Sequence, residues 1–136
     1  TVPQNDDGSF RLDYLAAITR GRVVKRFNRK GEFHISKWQA PEDRIVWHLD
    51  VSNPGTFAVE ITYAAIEDRV GGPYEIGAGD SRVTAEVEAT GDWYEYETFP
   101  LGTIDLAGGR QTVEIHPRSE LPGDLMYFKA IELKPR

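Results

Sequence analysis

The chain's 136 residues, 40% hydrophobic and 28% charged, suffice for one buried core and fall short of two. Sixteen Lys and Arg against 22 Asp and Glu leave a formal net charge of -6, so nucleic acid is not expected as a partner, and no apolar run approaches the ~20 residues of a bilayer span, so neither is a membrane. Zero cysteines exclude disulfides, thiolate metal sites and a cysteine nucleophile.

The polar start, Thr1 to Gly8, has no basic-then-apolar leader and reads like the Pro/Asn/Asp/Gly stretch of a domain boundary. Residues 1–8 are therefore expected as a linker or terminal extension, and 9–136 as a single β-sandwich domain excised from a larger protein. Strands are expected near 9–18, 22–28 and 32–37. In Arg44 to Val51 the apolar side chains Ile45, Trp47, Leu49 and Val51 share one face, opposite Arg44, His48 and Asp50. Across Asn53-Pro54-Gly55 the pattern resumes with Phe57, Val59, Ile61 and Tyr63 on one face and Thr56, Glu60 and Thr62 on the other. Further strands are expected near 73–77, 82–89, 93–99, 111–117 and 125–133. Turn chemistry separates them at Gly71-Gly72-Pro73, Gly77-Ala78-Gly79-Asp80, Thr90-Gly91-Asp92, Ala107-Gly108-Gly109 and Leu121-Pro122-Gly123-Asp124. No stretch carries a helical stripe, so the fold expected is all-β: an antiparallel two-sheet β-sandwich of jelly-roll type.

Catalytic signatures are missing. Gly77-Ala78-Gly79-Asp80-Ser81 has the composition of a phosphate loop but neither its lysine nor a following helix, and is expected to be a hairpin turn. His34, His48 and His116 fall on separate strands without metal-ligand spacing. Glu86, Glu88, Glu95 and Glu97 occupy outward strand positions and are expected to be solvated rather than paired for glycosidase chemistry. Six cations, Arg20, Arg22, Lys25, Arg26, Arg29 and Lys30, crowd residues 20–30. That run could hold an anionic polysaccharide through arginine forks, although a solvated strand balanced by acidic neighbours is the favoured reading.

Aromatics carry the strongest functional signal. Trp47, Phe57 and Tyr63 fit the core pattern. Trp38 breaks the parity set by Phe33 and Ile35 and is expected to face solvent or a cleft. Trp93 follows Thr90-Gly91-Asp92, and Tyr74 and Tyr127 stand near other loops. Flat aromatic faces suit the C–H faces of sugar rings, with nearby Asp, Asn, Arg and His bonding the hydroxyls.

With Trp38-Gln39-Ala40-Pro41-Glu42-Asp43-Arg44-Ile45-Val46-Trp47, Asn53-Pro54-Gly55-Thr56-Phe57, Ile61-Thr62-Tyr63-Ala64-Ala65, Thr90-Gly91-Asp92-Trp93, Leu101 to Leu106, Gly108-Gly109-Arg110 and Ala130 to Leu133 in this order, the chain resembles a galactose-binding-like jelly roll. The resemblance is to carbohydrate-binding modules of families 6 and 35, and to domains appended to bacterial glycoside hydrolases, fucosidase-like enzymes and sulfatases. It implies a noncatalytic, secreted or periplasmic module that binds a polysaccharide or oligosaccharide and holds a covalently linked catalytic domain near it. It also implies that Trp93 stacks on the ligand, that Trp38 completes the clamp, and that the last loop, here Asp124-Leu125-Met126-Tyr127, adds hydrogen bonds. The family's asparagine is missing from that loop. Its early Glu-Ala-Glu calcium motif is also replaced, by Phe10-Arg11-Leu12-Asp13-Tyr14, so no cofactor is expected: a structural calcium is possible but not expected. The alternative is an accessory domain that packs on a parent glycoside hydrolase or sulfatase without binding sugar. A weaker third reading, an independent hydrolase, requires paired acids in a pocket.

Overall fold

The computed structural model describes residues 1–66 and 72–136. Among them the chain forms twelve strands and no helix: β1 (Val2–Pro3), β2 (Phe10–Asp13), β3 (Ile18–Arg20), β4 (Val24–Phe27), β5 (Phe33–Ser36), β6 (Arg44–Val51), β7 (Gly55–Ala64), β8 (Pro73–Ala78), β9 (Ser81–Glu86), β10 (Glu97–Leu106), β11 (Gly109–Pro117) and β12 (Tyr127–Pro135). One sheet runs β1-β6-β11-β8-β9 with β3 also on β6; the other runs β10-β7-β12-β5-β4 with β2 also on β12. Every pairing is antiparallel except β1 with β6. The two-sheet sandwich is the architecture that the alternation implies.

The core lies between the sheets because each inner face collects one parity of apolar residues. From β6 come Ile45, Trp47 and Leu49; from β7 come Phe57, Val59, Ile61 and Tyr63, all essentially without solvent exposure. Each such side chain contributes roughly 1.5–3 kcal/mol of burial. Trp47 keeps its indole N–H satisfied by donating to the Asp13 carbonyl at 2.9 Å. A register shift between Phe128 and Ala130 lets Phe128, Ile131 and Leu133 all point inward from β12 despite their uneven spacing.

Several boundaries differ from expectation. The stretch 9–18 splits: β2 joins β12 in one sheet and β3 joins β6 in the other. Residues 93–96 are loop, and the strand there begins at Glu97 and runs to Leu106. Residues 1–8, expected as a linker or terminal extension, lie against the edge of the first sheet. Val2 and Pro3 pair with Leu49 and Asp50, while the Gln4 side chain accepts from the amides of Ser52 and Asn53 and donates to the carbonyls of Gly8 and Asn53. Backbone pairing and one bridging amide make this segment part of the domain edge. Ala78 pairs with Ser81 across Gly79-Asp80, so the glycine-rich stretch is a hairpin turn. Of the Gly71-Gly72-Pro73 turn, Gly71 lies outside the described residues.

Candidate functional site

The loop from Val87 to Tyr96 is built from its own side chains. Buried Thr90 ties it to the end of β7: its amide donates to the Ala65 carbonyl at 2.8 Å and its hydroxyl accepts from the Ala65 amide at 3.0 Å. Gly91 follows at φ +112°, a conformation that L side chains avoid, and a Cβ there would meet the Glu95 carboxylate. The Asp92 carboxylate then accepts from the amides of Tyr94 at 2.6 Å and Glu95 at 3.0 Å. This side-chain turn is why the strand cannot start at residue 93. It leaves Trp93 laid over the start of β12.

There Trp93 stacks on Tyr127, with ring centroids 4.2 Å apart and planes 25° apart, and Tyr127 stacks on His34 at 4.0 Å and 4°. Two rings this close to one flat ring occupy its opposite faces. Tyr127 is therefore the filling of a three-ring pile, with buried His34 at the base and partly buried Trp93 outermost. The pile walls a cleft of about 310 Å³ that Arg26, Phe27, Arg29 and Tyr94 also line. Phe27 is 61% exposed, an aromatic surface already facing water. Burial, reinforced by the charge of Arg26 across the β4–β5 ladder, pushes His34 down to about 4, so its ring is neutral at neutral pH.

The β4–β5 hairpin that carries both arginines is fastened by Asn28. Its side-chain oxygen accepts from the amides of Lys30 and Glu32, its side-chain nitrogen donates to Glu32 at 3.0 Å, and its amide donates to the Glu32 carbonyl at 2.9 Å. Lys30 stands over the Tyr94 ring, 5.6 Å from its centroid. Across the sheet, Lys129 covers Tyr96 at 4.6 Å, and burial raises the Tyr96 phenol to about 12.

Three of the five expected site residues lie elsewhere. Trp38 is fully buried, edge-on to Phe128, and donates its indole N–H to the Met126 carbonyl at 2.9 Å. The cause is Lys37, which adopts φ +77° and breaks the alternation, turning the next side chain inward. Asp124 serves that kink: its carboxylate accepts from the Lys37 amide at 2.9 Å and the Trp38 amide at 3.2 Å. Burial raises its pKa, against the pull of those amides. Tyr74 is a core side chain, edge-on to Tyr63. Trp93 and Tyr127 do come together, Tyr127 as the support for Trp93. Phe27 and Tyr94 join them unforeseen, together with Arg26 and Arg29 from the basic run that the sequence singled out; the aromatic at Phe27 inside that run is a signal that could have pointed there.

The basic run itself divides. Arg22 clamps Asp43, whose carboxylate also accepts from the backbone amides of Arg22, Gln39 and Ala40 at 2.8–3.0 Å. Asp43 has no exposed surface. Burial alone would raise its pKa, but the Arg22 guanidinium and the three amides hold it below the usual carboxylate value. A Cβ on Gly21 would collide with that carboxylate, which fixes glycine there. Glu86, Glu88, Glu95 and Glu97 are exposed, as expected. Among the described residues no three His, Asp or Glu side chains are grouped to hold a metal ion. Where the resemblance puts acidic calcium ligands, Phe10 and Leu12 are in the core, and Arg11 bonds Glu132 at 2.9 Å and reaches Asp13 at 3.5 Å. An apolar pair and a guanidinium do not fit a calcium ion.

The fold is that of carbohydrate-binding modules. A family 35 module from Clostridium thermocellum superposes with a TM-score of 0.75 at 14% identity, over 94% of this chain and 98% of that one. The C-terminal family 6 module of a marine laminarinase from Zobellia galactanivorans gives 0.71 at 14% identity, over 93% of this chain and 98% of that one. A Podospora anserina β-(1,4)-mannanase that joins a family 26 glycoside hydrolase unit to a family 35 module gives 0.70 at 18% identity, over 96% of this chain and 28% of that one. No protein-family model and no curated protein sequence matches the chain.

Proposed function

We propose that this chain is a noncatalytic carbohydrate-binding module that uses the cleft at Trp93 to hold a sugar chain. The observation that carries the reading is the ring pile: Tyr127 and His34 brace Trp93 from one side at the edge of a cleft of about 310 Å³. A braced indole loses little side-chain freedom when a sugar ring settles on it. Single sites of this kind bind weakly, so the gain for a linked catalytic domain comes from raised effective concentration at the polymer. The mannanase likeness supports such a linkage, and with it a secreted or periplasmic setting.

The test is retention on a panel of immobilised polysaccharides, wild type against Trp93→Ala. Retention of the wild type and its loss in the variant supports the reading; equal retention of both removes Trp93 as the anchor, and retention of neither removes the reading. The accessory-domain alternative draws on Leu15, 75% exposed, and Val24, 41% exposed, which lie outside the cleft lining. Binding to a parent catalytic domain, lost on Leu15→Ser and unaffected by Trp93→Ala, would favour that second reading.

A further inference from the structure

We propose that the outer edge of β4 is a docking site for an extended acidic polypeptide segment, which adds to the second sheet as a further strand. The inference is separate from sugar binding and makes no use of Trp93. β4 ends the β10-β7-β12-β5-β4 sheet and pairs only with β5 among the described residues. The Asn28 amide donates to the Glu32 carbonyl, so by antiparallel alternation Arg26 and Val24 exchange their bonds with His34 and Ser36. Lys25 and Phe27 therefore turn their amides and carbonyls outward.

Proteins ordinarily blunt such an edge. The opposite edge of the same sheet, β10, is blunted by Pro100 and a register shift before Gly102, and Ser81 of β9 lies against it, its hydroxyl accepting from the Asp105 amide at 2.9 Å. β4 has neither device: its four pairs run in unbroken register and all four residues are exposed. Among the described residues the exposed large apolar side chains are Leu15, Val24 and Phe27, and two of these stand at the ends of this strand with Lys25 and Arg26 between them. That order fixes the occupant. Each face of β4 offers one apolar and one cationic side chain, Val24 with Arg26 and Phe27 with Lys25. A strand reading apolar-acidic-acidic-apolar matches all four positions whether it lies parallel or antiparallel. A second copy does not, because two β4 edges set antiparallel would oppose Lys25 to Arg26. Backbone pairing supplies affinity in such an addition, and the side chains supply selection.

The test uses short capped peptides: one with apolar-acidic-acidic-apolar at its centre, one of the same composition reordered to acidic-apolar-apolar-acidic, and one with lysines in place of the acids of the first. Affinity is measured for the wild type, Lys25→Pro and the double variant Lys25→Glu/Arg26→Glu, each checked for folding by its thermal transition. Lys25→Pro removes one outward amide and none of the bonds to β5. The wild type is expected to bind the first peptide at least roughly tenfold more tightly than the second, Lys25→Pro to lose at least roughly tenfold of that affinity, and the double variant to prefer the lysine peptide. Should Lys25→Pro fail to fold, amide hydrogen exchange of the wild type decides: slowing at Lys25 and Phe27 when the first peptide is added supports strand addition, and unchanged exchange overturns it. Equal binding of the two acidic orders is plain charge attraction and overturns the proposal. A folded Lys25→Pro that binds like the wild type, a double variant that still prefers the acidic peptide, or no binding up to about 1 mM peptide overturns it as well.

Discussion

Arg22 and Arg26 belong to one basic run and both are exposed, yet they do opposite work. Arg22 neutralises a carboxylate that has no contact with water and already accepts three backbone amides. Arg26 faces a neutral histidine and an open cleft. In the first region every polar group is matched and the loop around Gly21 and Asp43 is fixed. In the second, positive charge is left unmatched beside an aromatic wall. The difference teaches that a charge run in sequence has no single role: stability uses the cations that meet a buried acid, and recognition has available those that do not.

The largest effect that would break this contrast is expected at Asp43. Asp43→Ala leaves three amides and a guanidinium without their acceptor, and the unfolding free energy should fall by about 3–5 kcal/mol in denaturant titration. A loss under about 1 kcal/mol would remove the structural role assigned here. Acidification separates the regions next. The folded-state pKa of His34 lies near 4 against 6.5 in the unfolded chain, so its contribution is complete above about 6.5 and is lost as the pH falls toward 4, by up to about 3 kcal/mol. Asp43, depressed below 3.8, gives up its contribution only below that range. Stability measured from pH 7 to 4 should therefore slope downward on acidification in the wild type and flatten in His34→Gln, and Arg26→Gln should raise the His34 titration seen by NMR.

A smaller loss is expected for Trp93→Ala, about 2 kcal/mol or roughly 30-fold in sugar affinity, with a cooperative unfolding transition retained. The smallest effect belongs to Arg11→Gln. Its pair with Glu132 is half exposed on both sides, and stability should change by less than about 1 kcal/mol, with added EDTA or calcium leaving the melting temperature of the wild type unmoved. A rise of several degrees with calcium would contradict the reading of Phe10, Arg11 and Leu12.

The strands were legible because side-chain alternation is a property of a strand by itself: Ile45, Trp47, Leu49 and Val51 share a face in any extended chain. Turns were legible for the same local reason, as at Gly79-Asp80. The site was legible only in part. Trp93 was marked by the turn before it, but nothing near Trp38 in sequence announces that Lys37 takes a left-handed conformation, because the carboxylate that accepts its amide belongs to Asp124, 87 residues away. Likewise Arg22 and Arg26 look alike until β6 and its preceding loop bring Asp43 to one and β5 brings His34 to the other. The sequence by itself determined the sandwich, its core faces and most of its turns, since these follow from neighbours along the chain. Which aromatics are buried and which cations stay unmatched was decided by the tertiary structure, because burial and ion pairing depend on partners that meet only when the sheets close.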